Sequence, residues 1–169
     1  CIRDSNSGFS KQITLIMACD GNFNIGKDGT MLFHIPKDLA RYKKITMGKN
    51  LYCGRKTFDD MGPLKGRRII VLSRGQVPKA DKVIHDFDEF KEELMNDPKG
   101  YFVGGASLTK KLYPDITKIL MTRVFETFDA DTGIGDPEDH GFVIAEESEM
   151  MEDIGLHFKS VSYTHLRAH

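Results

Sequence analysis

Apolar runs of strand length alternate along this chain with stretches of helical period. "QITLIMACD" (12–20) is apolar at successive rather than alternate positions, which marks a strand buried on both faces. Ile35, Leu39, Tyr42 and Ile45 then recur at helical spacing, with Lys37, Arg41, Lys43 and Lys44 largely opposite, so a helix is expected to begin near Pro36. "NLYCG" reads as a strand, "RKTFDDMG" as a short helix, and "RRIIVLS" and "DKVIH" as two more strands. "DFDEFKEELMN" predicts a helix capped by Asp86 or Asp88 and closed before Pro98. "YFVGG" is a strand running straight into a helix, "ASLTKKLY", and "ITKILMTRVFETF" is a long strand. "GFVIAEES" and "LHFKSVSY" are joined by "EMMEDIG", too little chain for a crossover helix, so they should pair antiparallel.

The alternation sums to an α/β, single-domain fold: a mostly parallel sheet of about eight strands with an antiparallel C-terminal strand and about four flanking helices on its two faces. "GNFNIGKDGT", "SRGQVPKA" and "DADTGIGDPEDHG", rich in Gly, Asp, Asn and Pro, read as exposed loops. No repeat or low-complexity tract interrupts the pattern.

Composition narrows the chemistry. With 169 residues, 40% hydrophobic and 29% charged, the chain can bury a core of its own. A net charge of -1 supplies no field to attract nucleic acid or an anionic membrane, so a small molecule recognised locally is the expected partner. Cys1, Cys19 and Cys53 are odd in number and far apart, which argues against a disulfide framework or a zinc site and for a reducing cytoplasm. No apolar run approaches the roughly 20 residues that span a bilayer, and "CIRDSNSGFSK" lacks the features of a signal peptide. The six histidines show no spacing for metal or a triad, and there is no G-x-S-x-G turn.

Three features remain. Asp38 follows Pro36 by two residues, where a carboxylate can satisfy free helix N–H groups; it also lies near the apolar face, where it would need a ligand with N–H donors. Gly54, Arg55, Lys56 and Thr57 crowd two cations and a hydroxyl into a helix start, and Ser73 and Arg74 end the next strand; this is either an anion site or a solvated basic loop. "FVGGASL" brings Gly104 and Gly105 to a strand-to-helix turn, which is either a second anion site or a tight corner, and it lacks a G-x-G-x-x-G fingerprint.

In order and spacing, "A-x-D-x-x-x-x-I-G" from Ala18, "LFHIPKDL", "GRKTF…MG-PL-KGRR-IIVLSR", "VGGASL", "LMTRV" and "ADT" resemble the dihydrofolate reductase family over nearly the whole chain. The resemblance implies reduction of 7,8-dihydrofolate to tetrahydrofolate with NADPH as cofactor, by a monomer. It implies that Asp38 binds the 2-amino group and N3 of the pterin, with Phe33 as an aromatic wall and Thr122 hydrogen-bonded to Asp38 or its water. Ala18, Leu39, Tyr42, Met61, Leu64 and Val103 would line the pterin and aminobenzoyl pocket, and Arg67 would grip the α-carboxylate of the glutamate tail. Arg55, Lys56, Thr57, Leu72, Ser73 and Arg74 would hold the adenosine end of NADPH, Gly104, Gly105, Ala106 and Ser107 its pyrophosphate, and Ile25, Gly26 and Met31 would close over the nicotinamide.

Departures from the family pattern fall at Leu32-Phe33, where many members carry Pro-Trp, at Ala106 for a third glycine, and at Thr109 for a Tyr or Phe; they are expected to tune affinity. A pyrimidinone reductase of riboflavin synthesis and a silent NADPH-binding module are the alternatives. "CIRDS" and "SYTHLRAH" resemble translated sequencing-adaptor peptides, so the domain is expected to span 11–163, with 1–10 and 164–169 as non-native or disordered ends.

Overall fold

A computed structural model describes residues 12–27, 30–32 and 34–168. In chain order the first half holds β1 (Ile13–Cys19), β2 (Asn24–Lys27), β3 (Thr30–Met31), α1 (Pro36–Thr46), β4 (Asn50–Gly54), α2 (Arg55–Met61), β5 (Arg68–Leu72) and β6 (Lys82–Ile84). The second half holds α3 (Phe87–Met95), β7 (Gly100–Phe102), α4 (Ala106–Leu112), β8 (Ile116–Val124), β9 (Thr132–Gly133), β10 (Phe142–Glu147), β11 (Met151–Asp153) and β12 (Leu156–His165). None of the described helices is long and apolar enough to cross a membrane.

The main sheet runs β10-β12-β8-β1-β7-β4-β5-β6, with β11 also on β12. From β8 to β6 every pairing is parallel. β12 then runs antiparallel to β8, and β10 and β11 antiparallel to β12. The expected sheet, mostly parallel with an antiparallel C-terminal strand, is therefore the observed one.

Helix placement follows from the handedness of crossovers. The chain moves from β1 towards β4 and β5, then reverses to insert β7 beside β1 and add β8 beyond it. Right-handed crossovers put the helices of the two directions on opposite faces. Alternation along the strands bears this out: Leu51, Cys53, Ile69 and Val71 share a core with Phe58 of α2 and Tyr42 of α1, whereas Tyr52 and Ile70 join Phe90 and Leu94 of α3 and Leu108 and Leu112 of α4. At α3, Asp86 is the cap, accepting the Glu89 N–H at 2.9 Å.

Four features escape the sequence pattern. β2, β3 and β9 form a small separate sheet inside two segments read as loops, because the pairing of β2 with β9 joins residues about a hundred positions apart. β8 stops at Val124: the Phe125 N–H turns to the His157 carbonyl at 2.8 Å, and the Phe128 N–H to Asp20. β11 lies within the expected linker "EMMEDIG". β12 keeps its pairing through His165, whose ring sits edge-on to Phe142.

β11 and β12 close a two-residue turn in which Ile154 has φ 47° and Gly155 φ 81°. Two positive φ values suit a type I′ turn, which favours Asn-Gly. A β-branched Ile154 is strained there by about 1–2 kcal/mol. Its side chain is 61% exposed, so little packing is lost by replacing it. Ile154→Asn is expected to raise the thermal midpoint by about 2–4 °C; a midpoint that falls in the unfolding curve would contradict this strain.

Candidate active site

The direction of strand addition reverses between β1 and β7, the switch point at which open α/β sheets form a crevice beyond their C-terminal strand ends. β1 and β7 share a single register pair, Leu15 with Phe102; beyond it β1 continues to Cys19 while the chain leaves β7 through Val103. Residues at the ends of β1, β4, β5 and β7 thus face one opening.

Asp38 sits half-buried in the first turn of α1, and its carboxylate does not cap that helix. It accepts a hydrogen bond from the Thr122 hydroxyl instead. Thr122, only 3% exposed, is register-paired with Ala18 of β1 and with Ser160 of β12, so these three form one row across the sheet. The helix end finds its acceptor elsewhere: the Lys37 N–H donates to Asp153 Oδ2 of β11 at 2.9 Å. Burial holds the Asp38 carboxyl above the ordinary aspartate range, and the Thr122 hydroxyl and the Arg41 charge only partly offset it.

Along α1, Tyr42 packs into the same cluster as Met61, Leu64 and Val103, and its hydroxyl contacts the Met61 sulfur at 3.9 Å. Leu39 is 44% exposed and belongs to no core cluster, so it stands open at the rim. At the far end of the helix the Arg67 guanidinium donates to Thr46 Oγ1 at 3.3 Å and to the Lys65 carbonyl at 3.1 Å. Neither acceptor is anionic, so its charge is left for a ligand. Asp38 and Thr46 are eight residues apart, about 12 Å along the helix.

The second group of residues also converges. The Gly54 N–H donates to the Gly104 carbonyl at 3.0 Å, joining the starts of α2 and α4. A Cβ at Gly105 would lie 2.8 Å from Thr57 Oγ1, so only glycine allows this approach. Neither Gly54 nor Gly105 provides a side-chain cap, so the first-turn N–H groups of both helices, those of Ala106 and Ser107 among them, have no acceptor from the capping residue. Arg55 reaches the Gln76 carbonyl at 3.1 Å while holding Asp59 at 3.0 Å, and so bridges α2 to the loop of Ser73 and Arg74. Lys56 and Arg74 are exposed, and Leu72 turns into the core on the α3 and α4 face. Free amides, hydroxyls and cations around a glycine cradle fit a ligand carrying several phosphates.

Ile25, Gly26 and Met31 lie on the β2–β3 hairpin, where Gly26 pairs with both Met31 and Thr132 of β9. Ile25 packs on the main core and Met31 is 43% exposed. Phe33 lies outside the described residues. The base of this hairpin depends on Asp20 and Arg123, two residues outside the expected site. Buried Asp20 accepts the N–H groups of Asn22, Asn24 and Phe128 at 2.8, 2.9 and 3.1 Å, and Arg123 donates to the Gly21 carbonyl at 3.0 Å with its guanidinium over Phe23. An acid at a strand end followed by Gly-Asn is an Asx-turn signal that could have pointed to Asp20. Thr109, expected near the nicotinamide, is fully buried with its hydroxyl on the Gly105 carbonyl at 2.7 Å. Burial pushes the thiols of Cys19 and Cys53 up to about 12, so neither supplies a thiolate. Among the described residues no cluster is suited to hold a metal ion.

A family model described as dihydrofolate reductase matches residues 12–166. The dihydrofolate reductase of Bacillus subtilis is 34% identical over 124 residues, covering 70% of this chain and 73% of that protein. That of Enterococcus faecium is 36% identical over 138 residues, covering 78% and 83%. Among solved structures, the dihydrofolate reductase from Enterococcus faecalis complexed with NADP(H) and RAB-propyl gives a TM-score of 0.80 at 26% identity, over 92% of this chain and 96% of that one.

The environment of Asp38 sets a pH dependence of stability. Its pKa in the folded chain is raised, so its ionisation opposes folding. Relative to the Asp38→Asn variant, the wild type keeps its full stability below the unfolded value of about 3.9 and loses it as pH rises through the folded value. Without ligand, Asp38→Asn is therefore expected to melt higher than wild type at pH 8 and level with it at pH 3. Thermal scans showing the variant less stable at pH 8 would restore the helix-capping role.

Proposed function

Because the chain belongs to the dihydrofolate reductase family, we propose that it reduces 7,8-dihydrofolate to 5,6,7,8-tetrahydrofolate with NADPH at the crevice between β1, β7 and α1. The observation that carries this reading is the pair of groups at the ends of α1: an inward carboxylate at one end and, at the other, a guanidinium without an anionic partner among the described residues. Such a pair suits an elongated ligand with N–H donors at one end and a carboxylate at the other, which is the chemistry of a pterin with a glutamate tail.

In this reading Asp38 accepts hydrogen bonds from the 2-amino group and N3 of the pterin and biases the ring towards protonation at N5. Thr122 holds the carboxylate while Ala18 leaves room for the ring beside it. Leu39, Tyr42, Met61, Leu64 and Val103 enclose the aminobenzoyl group, and Arg67 pairs with the α-carboxylate, a charge-assisted contact of about 1.5–3 kcal/mol. Bound NADPH supplies the hydride, which is delivered to C6. Arg55, Lys56, Thr57, Ser73 and Arg74 take the adenosine end; the amides from Gly104, Gly105, Ala106 and Ser107 take the pyrophosphate. Ile25, Gly26 and Met31 close over the nicotinamide and exclude water.

Among the described residues no second acid acts on Asp38, whose charged neighbour is Arg41; in this reading water carries the proton to N5 and the site works by juxtaposition and electrostatic bias. A monomer acting in the cytoplasm, without nucleic acid, is part of the same proposal. It is supported by the free, buried Cys19 and Cys53 and the net charge of -1.

Loss of NADPH absorbance on adding dihydrofolate tests the activity, and no oxidation above background would contradict it. Asp38→Asn is expected to lower hydride transfer at neutral pH by about 10²-fold or more. Arg74→Ala should weaken NADPH about tenfold while leaving NADH nearly unchanged, as expected for a charge that reads a 2′-phosphate; equal weakening of both cofactors would remove Arg74 from that role.

A further inference from the structure

The acceptor at the N-terminus of α1 comes from another part of the chain. Ile35 occupies the capping position and has no side-chain oxygen to offer, and Pro36 follows it. Asp38 stands at the third helical position, from which a carboxylate can fold back onto the backbone N–H of the capping residue. A helix start with only that acid nearby would draw it towards its own amides. It does not do so here: Asp153 accepts the Lys37 N–H at 2.9 Å, and Asp38 accepts the Thr122 hydroxyl.

The hairpin that carries Asp153 is fastened to the same helix end in two further ways. Lys37 Nζ donates to the Glu152 carbonyl at 3.0 Å. Ile35, 2% exposed, is buried with Val124 and Phe158, and Met151 and Leu156 of the hairpin pack on the same cluster. Asp153 is the last paired residue before the strained turn at Ile154, in register with Leu156.

We propose that Asp153 is a positioning residue for dihydrofolate reduction: by capping α1 from β11 it keeps the Asp38 carboxylate on Thr122 and available to substrate. The inference rests on the reading of Asp38 as the group that binds the pterin. It predicts an effect on one ligand only, since the residues assigned to NADPH lie at the starts of α2 and α4, at the end of β5 and on β2 and β3, whereas among the described residues the side-chain hydrogen bonds of β11 go to α1.

The test compares wild type with Asp153→Ala, Asp153→Asn and Lys37→Ala by steady-state kinetics, and by calorimetric titration with folate and with NADPH. In Asp153→Ala the KM for dihydrofolate and the Kd for folate are expected to rise about tenfold, the scale of a lost helix cap, with kcat reduced less and the NADPH Kd unchanged. Asp153→Asn keeps an accepting oxygen and should restore folate affinity to within about twofold of wild type. Lys37→Ala, at an exposed position that leaves the core intact, should weaken folate about two- to threefold and NADPH not at all, so the inference stands or falls even if Asp153→Ala does not fold. Equal losses for folate and NADPH, an Asp153→Asn variant as impaired as Asp153→Ala, or unchanged folate binding in Lys37→Ala would overturn the positioning role. A wild-type chain that oxidises no NADPH with dihydrofolate would overturn the functional reading itself, which separates the two failures.

Discussion

An α-helix begins with N–H groups that need an acceptor, and in this chain the carboxylate closest in sequence to those groups is the one the proposed function assigns to substrate. That competition at the start of α1 is the constraint around which the rest is arranged. The sequence Ile-Pro-Lys-Asp gives the helix a rigid first position but no capping oxygen of its own. Asp153 supplies the acceptor from a strand more than a hundred residues away, and Thr122 supplies a donor that holds Asp38 inward. Neither contact alone fixes the acid: without the first it has a rival partner, and without the second it is a half-buried charge with little to offset its desolvation.

The sheet explains why these remote pieces meet. β8 lies between β1 and β12, so Thr122 has Ala18 on one side and Ser160 on the other, and the hairpin built on β12 comes up against the end of α1. On the other side of β1, the reversal at β7 brings the Gly104-Gly105 turn against Thr57 and joins two helix starts. The same topology therefore puts a place for N–H donors and a place for phosphates on the two flanks of one strand. In the proposed function the two ligands would meet over β1, the arrangement a direct transfer between two rings needs.

Much of this was legible in the sequence, and what was missed has a common cause. The continuous apolar runs of β1, β5 and β8 gave a buried parallel sheet, and helical spacing found α1 through α4. Asp38 and the glycine turn stood out because their residue types are unusual in those local settings. Asp153 and the pairing of β2 with β9 did not, because each is defined by a partner distant in sequence; Asp20 combines the local N–H groups of Asn22 and Asn24 with the remote one of Phe128, and β11, three residues long, is too short to show a period. A carboxylate in "EMMEDIG" carries no local sign that it will cap a helix beginning at residue 36. Likewise, a two-residue strand such as β9 has no period to read. Leu39, counted with the apolar face by spacing, proved open at the rim, since a helix that borders a crevice leaves part of that face for its ligand.

A carboxylate that caps a helix titrates below the ordinary aspartate range, and one held in a half-buried crevice away from the helix amides titrates above it. The most direct measurement is therefore the titration of the Asp38 carboxyl carbon by ¹³C NMR in the ligand-free chain, assigned by its loss in Asp38→Asn. The account predicts a midpoint above the ordinary value for aspartate. A midpoint below that value would mean that Asp38 serves its own helix, and would contradict the account.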